Sequence, residues 1–188
     1  MLALNQKILL VLYGFAHKEG PFQNIIHWTA DSLDIWVIVL LLLWFLYRAW
    51  KKQRTSGRLI CFSCFHEVIM VILTGWLAWG AASIVKILVN TARPFAVRSL
   101  EVIPLFVPMD PWSFPSGHTA LFVALGIISW FHDRTVGVMV LVAAGLIGLT
   151  RVMSGVHFPL DILGGAIIAG IIVGLLMFFD KQHLHRIS

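Results

Sequence analysis

Eight residues between Lys86 and Asp161 could do chemistry together: Lys86, Arg93, Ser116, Gly117, His118, Arg151, His157 and Asp161. Their types suit nucleophilic attack on a bound phosphate. Arginine presents a planar fork that matches phosphate oxygens, and lysine adds a point charge. Ser116 and Gly117 follow Pro115 where a helix is expected to begin, so backbone N–H groups there could point at an anion. His157 and Asp161 stand four apart, a spacing that puts two side chains on one face of a helical turn. A carboxylate so placed takes the N–H of one ring nitrogen and leaves the other free to attack. His118 comes from a different helix and could protonate the leaving oxygen.

Gathering these cations in an apolar chain has a cost. A basic side chain deep in the hydrocarbon costs about 2.5–3.5 kcal/mol on insertion scales, and like charges repel besides. A bound polyanion offsets both terms. Structural pairing is the plain alternative, but only Glu101, Asp110 and Asp161 lie nearby in sequence on the same side. A metal centre fits poorly, because magnesium favours clustered carboxylates and the site offers one. Zinc on His118 and His157 would sit among opposing cations. No cofactor is expected.

The elements that position these groups follow from composition. Of 188 residues, 59% are hydrophobic and 12% charged, about half the charged share of soluble domains. Mean hydropathy is +0.89, and the apolar runs are continuous rather than alternating. The expectation is an all-α, polytopic membrane bundle of five to six helices in a single domain, residues 1–188, with the motif core at 86–161. The net charge of +5 is read as loop lysines and arginines that set topology, not as a nucleic-acid surface.

Along the chain, Ile8 to Ala16 is too short to span and predicts a helix at the interface or packed on the bundle. A first span is expected from Ile25 to Tyr47. Asp31 and Asp34 read there as cap and interface residues rather than bundle-interior groups. Arg48, Lys51, Lys52, Arg54 and Arg58 mark a cytoplasmic loop. A second helix covers Leu59 to Val89, with His66 and Glu67 as an interfacial or structural pair near its inner end. Cys61 and Cys64 form a lone Cys-x-x-Cys with no second ligand pair.

Prolines at 94, 104, 108, 111 and 115 make Asn90 to Pro115 an outer loop. Its apolar residues (Phe95, Leu105, Phe106, Val107 and Trp112) suggest contact with the lipid surface or packing over the bundle mouth. Further helices are expected at Ser116–Phe131, Val136–Met153 and Phe158–Phe179, with a short inner tail. Eight Lys and Arg then lie inside and six outside. If Lys86, Arg93 and Arg151 belong to a site, eight oppose three, and the positive-inside rule is obeyed. Small residues four apart (Gly165 and Ala169, Ala166 and Gly170, Gly170 and Gly174) predict close packing within the chain, and also allow a homodimer.

The three motifs, Lys86 to Arg93-Pro94, Pro115-Ser116-Gly117-His118 and Thr150-Arg151 to His157 and Asp161, resemble those of the type 2 phosphatidic acid phosphatase (PAP2) superfamily in order and spacing. Thr150 departs from the usual serine but keeps the hydroxyl. The resemblance implies that His157 forms a phosphohistidine, Asp161 supports it and His118 is the general acid. It implies that Lys86, Arg93, Ser116, Gly117 and Arg151 hold the phosphate, without metal, at an outward-facing site in the cell membrane. Within the superfamily, the short length and the early Gly-Phe-Ala-His segment resemble the bacitracin-resistance type of undecaprenyl-diphosphatase, although that type often has Asp where Gly117 stands. The substrate so implied is undecaprenyl diphosphate, cleaved to undecaprenyl phosphate and inorganic phosphate during recycling of a cell-wall lipid carrier. Phosphatidic acid, phosphatidylglycerol phosphate and lipid A are the rival substrates. A transporter or permease subunit is the rival of another class, and would place ionisable residues deep in several helices.

Overall fold

The computed structural model describes the backbone of residues 2–17, 21–56 and 62–187. Among these the chain is all-helical: α1 (Leu2–Ala16), α2 (Pro21–Asp31), α3 (Leu33–Ser56), α4 (Phe62–Val89), α5 (Gly117–His132), α6 (Arg134–Met153) and α7 (Pro159–Ile187). Between α4 and α5 lie two short 3-10 turns, Pro94–Ala96 and Arg98–Leu100. Four helices are long and apolar enough to cross a membrane: α3, α4, α6 and α7. The shorter α5, about 24 Å at 1.5 Å per residue, is the hub of the bundle. It packs on α4, α6 and α7.

Two apolar clusters hold the hub. Phe122, Leu125 and Ile128 of α5 meet Leu41 and Phe45 of α3, Val71 of α4, and Val136, Val140, Ala144 and Ile147 of α6. On the other side, Ala120 and Ala124 meet Ala78 and Ala82 of α4 and Ala169 and Val173 of α7. The alanines permit close approach of helix backbones. Asp133 ends α5 and starts α6: its N–H bonds to Ser129 O at 2.7 Å, and its carboxylate caps the Val136 N–H at 3.1 Å. Gly137 is needed at this tight turn, since a Cβ there would fall 2.4 Å from the Trp130 Cα.

The helix ends for α5, α6 and the start of α7 agree with the sequence expectation within two residues. The first span does not. Instead of one helix from Ile25 to Tyr47, the chain breaks at Ser32, and α3 runs from Leu33 to Ser56. The basic stretch from Arg48 to Arg54 is therefore the C-terminal end of α3 and not a loop. Arg48 is held there by Glu67 at 3.4 Å and donates to His132 O at 2.7 Å, while Lys52 lies 3.7 Å from Glu67. Glu67 thus serves α3. Arg58, Cys61 and the side chains of Cys64 and His66 lie outside the described residues. The expected tail is helical as well, because α7 continues to Ile187.

Helix α1 is packed rather than free. Leu9 is fully buried beside Val102 and Val152. The Tyr13 hydroxyl donates to Ile103 O at 3.1 Å and accepts from the Ile103 N–H at 3.0 Å. The glycine pattern divides. A Cβ at Gly165 would meet Ser116 O at 2.5 Å, and one at Gly148 would meet Ile162 at 2.9 Å, whereas Gly145, Gly170 and Gly174 meet nothing within 4 Å. Close packing within the chain therefore explains only part of the small-residue pattern.

Candidate active site

His157 sits in the short turn between α6 and α7. Gly155, at a φ of 74°, lets the chain reverse there, and the Val156 N–H bonds to Arg151 O at 3.2 Å. His157 is 2% exposed. Its Nδ1 lies 3.2 Å from Asp161 Oδ2. The Phe158 N–H at 2.8 Å and the Ser113 hydroxyl donate to the same oxygen. This fixes Asp161 as an acceptor and assigns the His157 proton to Nδ1, which leaves the Nε2 lone pair outward. Arg93 NH1 stands 3.5 Å from that Nε2. Burial pushes the His157 imidazole down to about 4, against the hydrogen bond and charge of Asp161, which favour the proton. The ring is therefore neutral near pH 7.

Arg93 is 1% exposed although it follows α4 in the loop. Asn90, at a φ of 54°, ends α4 in the left-handed conformation. The loop is then pinned by Ser113 N–H to Thr91 O and by Phe114 N–H to Thr91 Oγ1, both at 2.9 Å. Arg93 donates from NH1 to Val156 O at 2.8 Å and from Nε to Asp110 O at 3.0 Å. Its NH2 lies 2.8 Å from Asp110 Oδ1, and Lys86 Nζ lies 3.2 Å from both Asp110 oxygens. Burial raises the Asp110 pKa, but the Lys86 and Arg93 charges outweigh it and hold the carboxyl below its usual range.

The second half of the site adjoins through Val156. Arg151, in the last turn of α6, is 7% exposed. Its NH2 stands 3.6 Å from Asp34 Oδ2, and its guanidinium lies 5.1 Å from the centre of the Phe106 ring. His118 Nε2 is 3.5 Å from the same Asp34 oxygen. Asp34 is thus drawn into the site, where the sequence favoured a cap or interface role. The side chain of Asp31 lies outside the described residues.

Ser116 is the N-cap of α5. Its hydroxyl accepts from the Thr119 N–H at 3.4 Å and from Thr119 Oγ1 at 3.0 Å, and its own N–H donates to Asp161 O at 2.9 Å. The expectation that the Ser116 amide is available to an anion is corrected: Asp161 O already takes it. Gly117 follows, and a Cβ added there would lie 3.3 Å from Trp79 Cδ1. The Thr150 hydroxyl is turned back into α6, toward Leu146 O and Ile147 O at 3.0 Å each. Asn5 of α1 accepts from the Leu160 N–H at 3.1 Å and so helps seat the start of α7.

The structure therefore brings His157, Asp161, Arg93 and Lys86 into one contact network. It brings His118 and Arg151 together through Asp34. Sequence reasoning missed Ser113 and Asn5 outright, and read Phe106 only as an apolar loop residue at the lipid surface or over the bundle mouth. It noted Asp110 only as a nearby acid. For Asp34 a signal existed: an ionisable residue inside an apolar span is a functional candidate by default.

The PAP2 superfamily model matches residues 67–183, more than half of the chain. The bacitracin transport permease protein BcrC of Bacillus licheniformis is 31% identical over 135 residues, covering 72% of this chain and 62% of that protein. The undecaprenyl-diphosphatase BcrC of Bacillus subtilis is 23% identical over 176 residues, covering 93% and 83%. Among solved structures, LpxE of Aquifex aeolicus superposes with a TM-score of 0.52 at 25% identity, over 81% of this chain and 92% of that one. With four helices able to cross a membrane and the three motifs folded into one site, the chain belongs to the PAP2 superfamily, as a multi-pass membrane phosphoric ester hydrolase.

Proposed function

We propose that this protein removes the terminal phosphate of a lipid diphosphate through a phosphohistidine on His157, with undecaprenyl diphosphate as the leading substrate. The observation that carries the reading is the pairing of a buried, neutral His157 with two cations on its free side. Nε2 points toward Arg93, and Arg93 shares with Lys86 a carboxylate, Asp110, that stands where phosphate oxygens would. His157 Nε2 attacks phosphorus as the bond to the leaving oxygen breaks. The bonding pair goes to that oxygen, which takes a proton from His118. Water then attacks phosphorus and gives a proton to His118 as the P–N bond breaks, its electron pair returning to His157 Nε2, and inorganic phosphate departs. Lys86, Arg93 and Arg151 would hold the phosphate, with the Gly117 end of α5 facing it.

The choice of undecaprenyl diphosphate leans on the name of the Bacillus subtilis relative. The transport reading, raised by the name of the Bacillus licheniformis relative, has less behind it. The described ion pairs gather at two ends, Arg48 with Glu67 and the site itself, and form no path between them. The positive-inside bias favours a site on the extracytoplasmic side of the cell membrane.

The test is phosphate release by purified protein from undecaprenyl diphosphate, phosphatidic acid, phosphatidylglycerol phosphate and lipid A. We expect the first to be turned over fastest, and His157→Ala to lose activity by at least about 10³-fold. Normal turnover by that variant would remove His157 as the nucleophile. Preference for a monoester would replace the substrate.

A further inference from the structure

Asp34 belongs to none of the three motifs and lies outside the residues matched by the family model. It reaches their site all the same. It occupies the first turn of α3. Its Oδ1 accepts from the Ile35 N–H at 2.8 Å, which orients the carboxylate. Its Oδ2 faces inward, 3.5 Å from His118 Nε2 and 3.6 Å from Arg151 NH2. The side chain is 18% exposed.

Helix formation alone does not explain this. A carboxylate in a first turn gains from the helix dipole wherever it points, so a solvent-facing Asp34 would serve as well. Nor is there another described carboxylate to pair with His118. Asp110 is engaged by Lys86 and Arg93. Asp161 is engaged by His157, Ser113 and the Phe158 N–H. A protonated His118 has Arg151 close by, and a like charge there needs an opposite charge between the two. The single Asp34 oxygen stands between them.

We propose that Asp34 is a positioning residue for the general acid. It holds the Nε2 edge of His118 beside Arg151, which fixes the ring and leaves Nδ1 as the nitrogen that can serve the leaving group. The N–H on Nδ1, which no described residue engages, is then the proton that passes to the departing oxygen. When the P–O bond breaks, its electron pair stays on that oxygen and the proton crosses from His118. Asp34 remains a carboxylate throughout and still pairs Arg151. The proposal rests on the reading of His118 as the acid. It extends the catalytic apparatus to a helix that the motifs do not include.

The test uses the full chain in detergent and two phosphate esters of matched lipid chain length. One has a nitrophenolate leaving group, which departs without a proton; the other has an alkoxide leaving group, which requires one. For Asp34→Asn we expect kcat/KM, which reports the step in which the leaving group departs, to fall about 30- to 100-fold on the alkyl ester and less than about fivefold on the aryl ester. Asp34→Glu should recover part of the alkyl loss. Added to His118→Ala, Asp34→Asn should cost little more, because both act on one step. The ratio of the two rates within one preparation does not depend on how much of the variant is folded. Equal losses on both esters, or full additivity with His118→Ala, would overturn the proposal. A wild type inert toward both esters and toward the lipid panel would overturn the phosphatase reading beneath it.

Discussion

At the scale of single residues, the decisive arrangement is the sharing of Asp161 Oδ2. His157 Nδ1, the Phe158 N–H and the Ser113 hydroxyl all converge on it. The last two fix the carboxylate so that the first can fix the imidazole. Substituting Ser113 by Ala leaves Asp161 with fewer donors and looser aim. We expect a loss of about tenfold in kcat with little change in KM, read from steady-state kinetics on the preferred lipid. The pH dependence follows from the burial of His157. Its proton affinity is depressed to about 4, so the ring stays neutral and nucleophilic as pH falls from 8 through the ordinary histidine range. It takes up a proton, and loses its lone pair, only as pH falls through about 4. The acid limb of kcat/KM assigned to the nucleophile should therefore lie near pH 4. A limb near pH 6.5 that disappears in Asp161→Asn would contradict this account.

At the scale of elements, the site depends on how closely α7 approaches α5. Gly165 faces Ser116 O, the N-cap residue of the helix that carries His118. A methyl there would collide with backbone, not with a flexible side chain. Gly165→Ala should cost about 1–3 kcal/mol in stability and reduce activity by displacing Ser116 and His118. Gly170→Ala, one and a half turns further along α7, meets nothing within 4 Å and should be silent in both measurements. Thermal unfolding in detergent beside phosphate release separates the two variants. If Gly170→Ala proves the more damaging, that face of α7 packs on something other than this chain, and the homodimer allowed by the sequence becomes the explanation. Helix α1 contributes at this scale too, because Asn5 satisfies an amide at the start of α7 that no residue of the helix itself can reach.

At the scale of the whole molecule, the question is which side of the membrane the site faces. Positive charge gathers at one end, with Arg48, Lys51, Lys52 and Arg54 on the C-terminal half of α3. The loop between α4 and α5 lies at the other end and exposes Ile103, Val107 and Met109. A cysteine replacing Met109, in a chain whose Cys61 and Cys64 are first changed to Ser, should react with an impermeant maleimide added to intact cells. Labelling confined to inverted vesicles would reverse the orientation and the proposed role outside the cytoplasm.

The sequence by itself determined the class of structure and named the motif-borne part of the candidate site. Continuous apolar runs require helices in lipid, since every backbone polar group must be satisfied within its segment. The i,i+4 spacing of His157 and Asp161 ties them through a single turn, and that pairing survives any arrangement of the other helices. Lys86, Arg93 and Arg151 were legible because cations in such surroundings demand a reason. What the tertiary structure decided is the company these groups keep. Asp34 meets His118 and Arg151 only because the chain breaks at Ser32 and α3 docks against α5 and α6. Asp110 and Ser113 reach the site only through the path of a proline-rich loop pinned at Thr91. Such contacts join residues tens of positions apart, so no local periodicity encodes them. The same holds for Ser116, whose amide looks free in the sequence until α7 presents the Asp161 carbonyl to it.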